Sequence, residues 1–311
     1  HKDCRVVTVC DKSAAALARA IAAHPGVRAT TDPEQVLHST EIDAVAIVTP
    51  VSFHYELAKS ALENGKHVFV EKPFTATSAQ AEELIELAEF HNLQIMVDHT
   101  FLFTGAVRKI KQLIDDGVLG RIYYYDSTRV NLGLFQHDVN VLWDLAPHDL
   151  AIMDHLLGLE PELIVATGGA HVNSLENIAY LTVYFPDNVL AHINVNWLSP
   201  VKVRTTLVGG QKKMLVWNDL DQAEKLRVYD KGADLNTEQG VHQALVSYRT
   251  GDMFAPKIEE IEALRVETRY FLDCIQSGTK PFNDGQAGLR VVRILEAAEQ
   301  SLNQHKEIVL A

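Results

Sequence analysis

Residues 67–74 read HVFVEKPF, where a run of apolar and β-branched residues stops at a glutamate, a lysine and a proline. Near-continuous hydrophobicity is typical of a strand that is buried on both faces of a parallel sheet. Pro73 has no backbone N–H, so it ends the strand and holds Lys72 at the carboxyl end, where open α/β sheets bind their ligands. Glu71 and Lys72 are therefore candidate functional residues, with a solvated surface pair as the alternative.

The same pattern of short apolar strands separated by helices extends over the first 120 residues. Strands are predicted at 5–11, 44–50, 67–73 and 94–99, and helices at 13–23, 33–38, 53–65, 78–92 and 104–116. Strands that alternate with helices form βαβ units. The fold class of this half is therefore α/β, with a doubly wound parallel sheet covered on both faces.

After Gly120 apolar and polar residues alternate instead. Strands are predicted at 121–130, 162–172, 178–185, 189–197, 205–210 and 213–219, and helices at 143–157, 262–277 and 286–304. Period-2 strands joined by short turns are typical of an antiparallel sheet with one solvated or partner-covered face. Residues 220–260 are polar and weakly periodic, which predicts a long excursion. We therefore predict two domains, 1–120 and 121–311, the second α+β with a large open, mostly antiparallel sheet.

Composition narrows the class of partner and the compartment. The formal net charge of −13 argues against nucleic acid and anionic membranes, because both require a basic surface. No apolar run is long enough for a membrane span. Cys4, Cys10 and Cys274 have no metal-ligand spacing, so we predict reduced core thiols in a cytoplasmic protein, and no metal site.

Two further groups of residues end predicted strands of the first half. Asp11 ends the run VVTVCD, where an acidic residue can accept hydrogen bonds from an adenosine ribose and favours NAD over NADP. A helix cap is the alternative role for Asp11. In TPVSFH (49–54), Thr49 and Pro50 end a strand, and His54 lies at the start of a helix, whose free N–H groups can face a phosphate or a ribose.

The stretch WDLAPHDLAIMDHLLG (143–158) carries the candidates of the second half. Pro147 is tolerated in a first helical turn, which places the helix start near Asp144. Asp144 and His148 are spaced i, i+4 and share one helix face. A histidine beside a carboxylate can remove the proton of an alcohol. A capping aspartate next to a structural histidine is the alternative.

A strand-end EKP followed by D-x-x-x-H at a helix start resembles the Gfo/Idh/MocA oxidoreductases. The TPVSFH segment, the acidic end of VVTVCD and DGQAGLRVVRILEAAEQS (284–301) match the same family. Within it, NLG (131–133) with DVNVLWDLAPHDL (138–150) resembles a branch of nucleotide-sugar dehydrogenases, notably enzymes that oxidise UDP-N-acetylglucosamine at C3.

The resemblance implies a Rossmann domain, an α/β domain whose open sheet face forms a homodimer or homotetramer, and NAD as cofactor, with NADP as the alternative. Lys72 would contact the reacting hydroxyl, His148 would be the acid/base, and Asp144 would position a sugar or nucleotide-sugar substrate. The implied cofactor-binding residues are Asp11, Thr49, Pro50, His54 and Glu71. The implied substrate contacts are His99, Arg129 and Asn131.

The departure from the family is the glycine-rich turn that holds the pyrophosphate, since the first glycine is Gly26. The chain also begins at His1 without a methionine. We expect a truncated sequence that lacks the first βα unit. Two alternatives to a nucleotide-sugar dehydrogenase stay open. One is a free-sugar or inositol dehydrogenase of the same family, and the other is a non-catalytic module that assembles through its sheet or senses a ligand.

Overall fold

A computed structural model describes residues 1–133, 135–235 and 246–310, with side chains described at all of these except 233–235 and 246–248. The chain divides into two compact units, His1–His99 with Leu264–Val292 and Thr100–Ala263 with Arg293–Ala311. The sequence predicted one division after residue 120, and the functional domain boundaries stay a prediction. Thr100–Asp115 falls in the second unit because its helical segments pack on the long helix of that unit.

The first unit is built from short strands and helices in alternation. Its elements are β1 (Thr8–Cys10), α1 (Ala14–Ala23), β2 (Arg28–Thr30), α2 (Glu34–Leu37), β3 (Ala44–Ile47), α3 (His54–Glu63), β4 (His67–Glu71), α4 (Ser78–His91) and β5 (Ile95–Asp98). Strands β3, β4 and β5 form a parallel sheet in that order, and β1 pairs with β2 in a separate parallel sheet. The predicted parallel strands are therefore confirmed.

The register of the β3–β4–β5 sheet aligns the carboxyl ends of its strands. Ile47 pairs with Val70, and Val70 pairs with Val97. Val68 and Val70 have no exposed surface, as the hydrophobic run predicted. The alignment brings Thr49, Lys72 and His99, each one or two residues past its strand, to one edge of the sheet.

The first unit also corrects details of the sequence analysis. Strand β2 was not predicted, because three residues with little hydrophobicity carry no periodic signal. Helix α4 begins at Ser78, but its cap is Thr77, whose hydroxyl accepts from the N–H of Gln80 at 3.3 Å. Cys4 and Cys10 are exposed rather than part of the core, whereas Cys274 is buried.

The second unit is dominated by one large sheet. Its elements are α5 (Gly105–Asp115), β6 (Ile122–Leu132), α6 (Val141–Leu157), β7 (Leu163–Gly169), β8 (Ile178–Phe185), β9 (Val189–Asn196), β10 (Leu198–Gly210), β11 (Met214–Asn218), β12 (Leu226–Leu235) and β13 (Val246–Phe254). Helix α7 (Ala263–Ser277) lies in the first unit from Leu264 onward. Helix α8 (Gly285–Gln304) begins in the first unit and passes into the second at Arg293, and β14 (Ile308–Val309) belongs to the second unit.

The large sheet has the strand order β13-β12-β11-β10-β6-β9-β8-β7-β14. Its neighbours are antiparallel except for the parallel pair β6–β9. The predicted open, mostly antiparallel sheet is thus confirmed. Helix α6 lies against β9, β6 and β8, so one face of the sheet is covered. Burial alternates along β8 and β9, which leaves the opposite face accessible.

The prediction of a long excursion at 220–260 is wrong. Strands β12 and β13 occupy 226–235 and 246–254 and pair with each other, and β12 also pairs with β11. Residues 236–245 lie outside the described part of the chain. Charged residues on the exposed side of these strands masked the alternation in the sequence. Within the described ranges, no helix is long and apolar enough to cross a membrane.

Candidate functional site

The end of β4 places Glu71 and Lys72 at the carboxyl edge of the first unit's sheet. The backbone N–H of Lys72 donates to Glu71 Oε2 at 2.9 Å, so this carboxylate folds back onto the end of its own strand. Burial and the charge of Asp98 on the neighbouring strand raise the pKa of Glu71, against an opposing effect of Lys72. The edge therefore combines a lysine with a carboxylate whose pKa is raised, mainly by burial.

His99 lies at the same edge, one residue past β5. Its side chain is 3% exposed, and neither ring nitrogen has a hydrogen-bond partner among the described residues. Burial, followed by the positive charge of Lys72, lowers the pKa of His99 to about 3. The ring is therefore neutral at neutral pH and offers one donor and one acceptor. Buried polar atoms without partners are uncommon, so this pair suits a polar ligand.

Two other predicted residues border this edge on exposed backbone. Thr49 and Pro50 follow β3 and precede a single 3-10 turn, Val51–Phe53. Both residues are exposed, as contacts with a bound molecule require. Their predicted role in holding a cofactor stays a prediction.

His54 is placed differently from what the sequence predicted. Its ring has no exposed surface. Nδ1 lies 2.9 Å from the carbonyl oxygen of Pro73, and Nε2 lies 2.8 Å from that of Thr49. Both nitrogens therefore face protein carbonyls, and this geometry leaves neither of them for the predicted direct contact with the cofactor.

Asp11 follows β1 directly and is exposed. Its Oδ1 accepts from the N–H of Ser13 at 2.7 Å, and Ser13 in turn caps α1. The ammonium group of Lys12 lies 4.6 Å from the centre of the Phe53 ring. The carboxylate thus lies at an exposed strand end, which suits acceptance of hydrogen bonds from ribose hydroxyls.

In the second unit, α6 carries Asp144 and His148 on one face. The helix begins at Val141, capped by Asn140, whose Oδ1 accepts from the N–H groups of Leu142 and Trp143. This start is earlier than predicted, so Pro147 lies in the second turn rather than the first. Both Asp144 and His148 are partly exposed.

Each of these two residues is held by an aromatic side chain. Trp197, just past β9, donates from Nε1 to Asp144 Oδ2 at 3.0 Å. Phe101 contacts His148 edge to face, with ring centroids 5.0 Å apart. The sequence analysis missed Trp197 because a tryptophan at the end of a strand is more often a core residue, and Trp197 is indeed buried.

Arg129 was predicted to contact substrate, and the structure corrects this. The side chain is 5% exposed and forms a bidentate pair with Asp149, at 2.6 Å from Nε to Oδ2 and 3.2 Å from Nη2 to Oδ1. Ser127 adds a hydrogen bond to Asp149 at 2.7 Å. The guanidinium carbon also lies 4.6 Å from the centre of the Phe101 ring. Arg129 thus supports Phe101 from within the core.

Asn131, the other predicted substrate contact on β6, is half-buried. Its amide lies close to Gly133 in the segment after the strand. Its role in binding substrate stays a prediction.

Comparisons with known proteins place both parts of the chain in one family. Residues 1–99 match the oxidoreductase family with an NAD-binding Rossmann fold, and residues 107–216 match the GFO/IDH/MocA C-terminal domain. Together the two matches cover more than half of the chain, in the order found in one family.

Individual relatives agree with this family. UDP-N-acetylglucosamine 3-dehydrogenase of Acidithiobacillus ferrooxidans is 28% identical over 256 residues, which cover 81% of this chain and 76% of the relative. The solved structure of an enzyme of that name and organism has a TM-score of 0.78 at 26% identity, covering 96% of this chain and 90% of the other. The scyllo-inositol 2-dehydrogenase (NADP(+)) of Bacillus subtilis is 25% identical over 92% of this chain and 84% of the relative. The chain belongs to the Gfo/Idh/MocA oxidoreductases, and its first domain is an NAD-binding Rossmann fold with NAD as cofactor.

Proposed function

We propose that the protein transfers a hydride between a secondary alcohol of a nucleotide sugar and NAD. The observation that carries the proposal is the agreement of sequence and structure on the UDP-N-acetylglucosamine 3-dehydrogenase of A. ferrooxidans, over most of both chains. The Asp144–His148 pair and Lys72 supply the groups that an alcohol oxidation needs.

The described residues at the first unit's carboxyl edge suit the ribose and nicotinamide ends of NAD, whereas the glycine-rich turn that would hold the pyrophosphate is not in this sequence. Asp11 offers an exposed carboxylate for the ribose hydroxyls, which favours NAD over NADP. Thr49, Pro50 and Glu71 would border the rest of the molecule. The two ring nitrogens of His99 without partners suit a polar group of the nicotinamide end or of the substrate. When bound, NAD supplies the hydride acceptor for the reaction.

The protein's own side chains handle the proton and the charge of the alcohol. His148 accepts the hydroxyl proton as general base. The ammonium group of Lys72 stabilises the negative charge that develops on the oxygen. Asp144 binds a substrate hydroxyl, and Trp197 fixes the direction of its carboxylate through the 3.0 Å hydrogen bond. In the reverse direction His148 returns the proton to the oxygen.

The protein is expected to reduce NAD with UDP-N-acetylglucosamine more efficiently than with free N-acetylglucosamine or inositols. The reason is that a nucleotide adds binding contacts remote from the reacting carbon, which raise kcat/KM. The measurement is NADH absorbance in a panel of UDP-sugars, free sugars and inositols, each with NAD and NADP.

The inositol arm of the panel tests the second candidate, which the similarity to scyllo-inositol 2-dehydrogenase over 92% of this chain favours. A higher kcat/KM for an inositol than for every UDP-sugar would replace the nucleotide-sugar proposal. No NADH with any alcohol would favour a non-catalytic module.

A cytoplasmic location is part of the proposal, since Cys4, Cys10 and Cys274 are free thiols and suit a reducing compartment.

We also propose that two copies associate through the uncovered face of the large sheet. Leu190 on β9 lies between Tyr184 on β8 and Tyr124 on β6, its partners in the sheet register. Tyr180 stacks on His192 on the same face, with ring centroids 6.4 Å apart. A row of aromatic and aliphatic side chains across a sheet is the composition of an obligate interface rather than of a solvated surface.

Leu190→Asp is expected to shift the protein to monomers, because it would bury a charge at the centre of this row. The molar mass is measured by light scattering during size-exclusion chromatography. Phe90→Asp is the matched control, since Phe90 is also an exposed apolar residue but lies on α4 of the first unit. An unchanged mass in Leu190→Asp, or a monomeric wild type, would contradict the interface.

A further inference from the structure

The buried ring of His54 joins the ends of two neighbouring strands. Thr49 lies just past the end of β3. Pro73 lies just past the end of β4, and Lys72 is the one residue between that strand and Pro73. The ring lies between the two carbonyls, at 2.8 Å from the oxygen of Thr49 and 2.9 Å from that of Pro73. His54 is thus the side chain that ties the backbone beside Lys72 to the adjacent strand end.

The two contacts determine where the ring must carry its protons. A carbonyl oxygen only accepts, so each contact needs a proton on the ring nitrogen that faces it. A neutral imidazole can donate to one carbonyl at a time, and an imidazolium can donate to both. The contact with the Pro73 carbonyl is buried, so loss of the ring would leave this carbonyl without its partner.

Lys66 offers a comparison at the opposite edge of the same sheet. It is buried, and its Nζ donates to the carbonyls of Ser39 at 2.6 Å and Ile42 at 2.9 Å, just before β3. Lys66 therefore ties backbone carbonyls as His54 does, but at the amino ends of the strands, away from Lys72. Comparing variants of His54 and Lys66 therefore distinguishes a purely structural role from one that affects Lys72.

We propose that His54 is a positioning residue, whose hydrogen bond from Nδ1 to Pro73 fixes the direction in which Lys72 presents its ammonium group. This inference rests on the proposed function of Lys72. The ring is enclosed beside the Thr49 carbonyl, and with its proton on Nδ1 it donates to the Pro73 carbonyl beside the lysine. His54 itself touches neither substrate nor NAD.

The test compares three variants of the protein at position 54. His54→Leu removes both donors and is expected to lower kcat by about 10²-fold with little change in KM for NAD, because small misplacements of a reacting group cost that much. Asparagine places its amide nitrogen close to Nδ1 and glutamine close to Nε2. His54→Asn is therefore expected to recover most of the lost kcat, and His54→Gln is not.

Lys66→Met is the control, because it removes buried hydrogen bonds to backbone carbonyls at the other edge of the sheet. It is expected to lower the unfolding temperature without changing kcat per folded molecule. Equal kcat in His54→Asn and His54→Gln would overturn the inference, as would wild-type kcat in His54→Leu. Failure of all three variants to fold would also overturn it, since the ring would then be a folding requirement. Lys72→Met is assayed in parallel. Wild-type turnover in Lys72→Met would remove the proposed function, whereas a defect in Lys72→Met alone would remove only the role of His54.

Discussion

Replacing Lys72 by methionine is expected to lower kcat by about 10²–10³-fold and to leave the affinity for NAD unchanged, since loss of one donor to a developing oxyanion has an effect of this size. Methionine keeps the length and the apolar stem of lysine but removes the charge. The measurements are steady-state NADH production and a titration of NADH fluorescence. The pKa of His99 gives a second readout. It is expected to rise in Lys72→Met, because the positive charge of Lys72 contributes to lowering it.

A companion variant separates charge stabilisation from proton transfer. His148→Ala is expected to lose turnover by about 10²–10⁴-fold, the contribution of a general base. If both residues act in one step, the turnover of the double variant is expected to be little lower than that of the less active single variant. Wild-type turnover in either single variant, or fully additive losses, would refute the assigned roles.

Replacing Asp149 by alanine is expected to cost about 3–5 kcal/mol of the free energy of unfolding, because it leaves the buried guanidinium of Arg129 without its partner. The side chains of this pair are 6% and 2% exposed. Burial lowers the pKa of Arg129, but the charge and hydrogen bonds of Asp149 outweigh this and raise it. Arg129 therefore stays charged in the core. Urea unfolding followed by tryptophan fluorescence measures the loss.

The control for this prediction is Asp221→Ala. Asp221 Oδ2 also lies 2.6 Å from an arginine, Arg227, but this pair is partly exposed, so its loss is expected to shift the midpoint far less. Combining Asp149→Leu with Arg129→Met is expected to recover much of the stability, since two apolar side chains leave no buried charge. Equal midpoints for Asp149→Ala and Asp221→Ala would contradict the prediction.

The parallel sheet and its functional edge could be predicted because both follow from local pattern. HVFVEKPF contains the buried run, the residue that ends it and the charged side chain beyond it. The i, i+4 spacing likewise places Asp144 and His148 on one face before any packing is known. Such features depend on backbone periodicity, which a sequence displays directly.

Tertiary pairings could not be predicted in this way. Arg129 was expected to contact substrate because of the family resemblance, and only the fold places it against Asp149. Trp197 and Asp144 are distant in the sequence and meet through the packing of α6 on β9. The prediction of a long excursion at 220–260 failed for a related reason, since the pairing of β12 with β11 and β13 is not visible in a polar, weakly periodic sequence.

The parallel pair β6–β9 has a consequence for the order in which the second unit assembles during translation. Strand β6 lies between β9 and β10 in the sheet, and both are synthesised after α6, β7 and β8. Its two backbone edges therefore have no strand partner until most of the unit has left the ribosome, and contacts so distant in sequence form slowly. Asp144 acquires its tryptophan partner only after β9 has emerged. The hydrogen bond between Trp197 and Asp144 therefore forms later than the helix that carries Asp144.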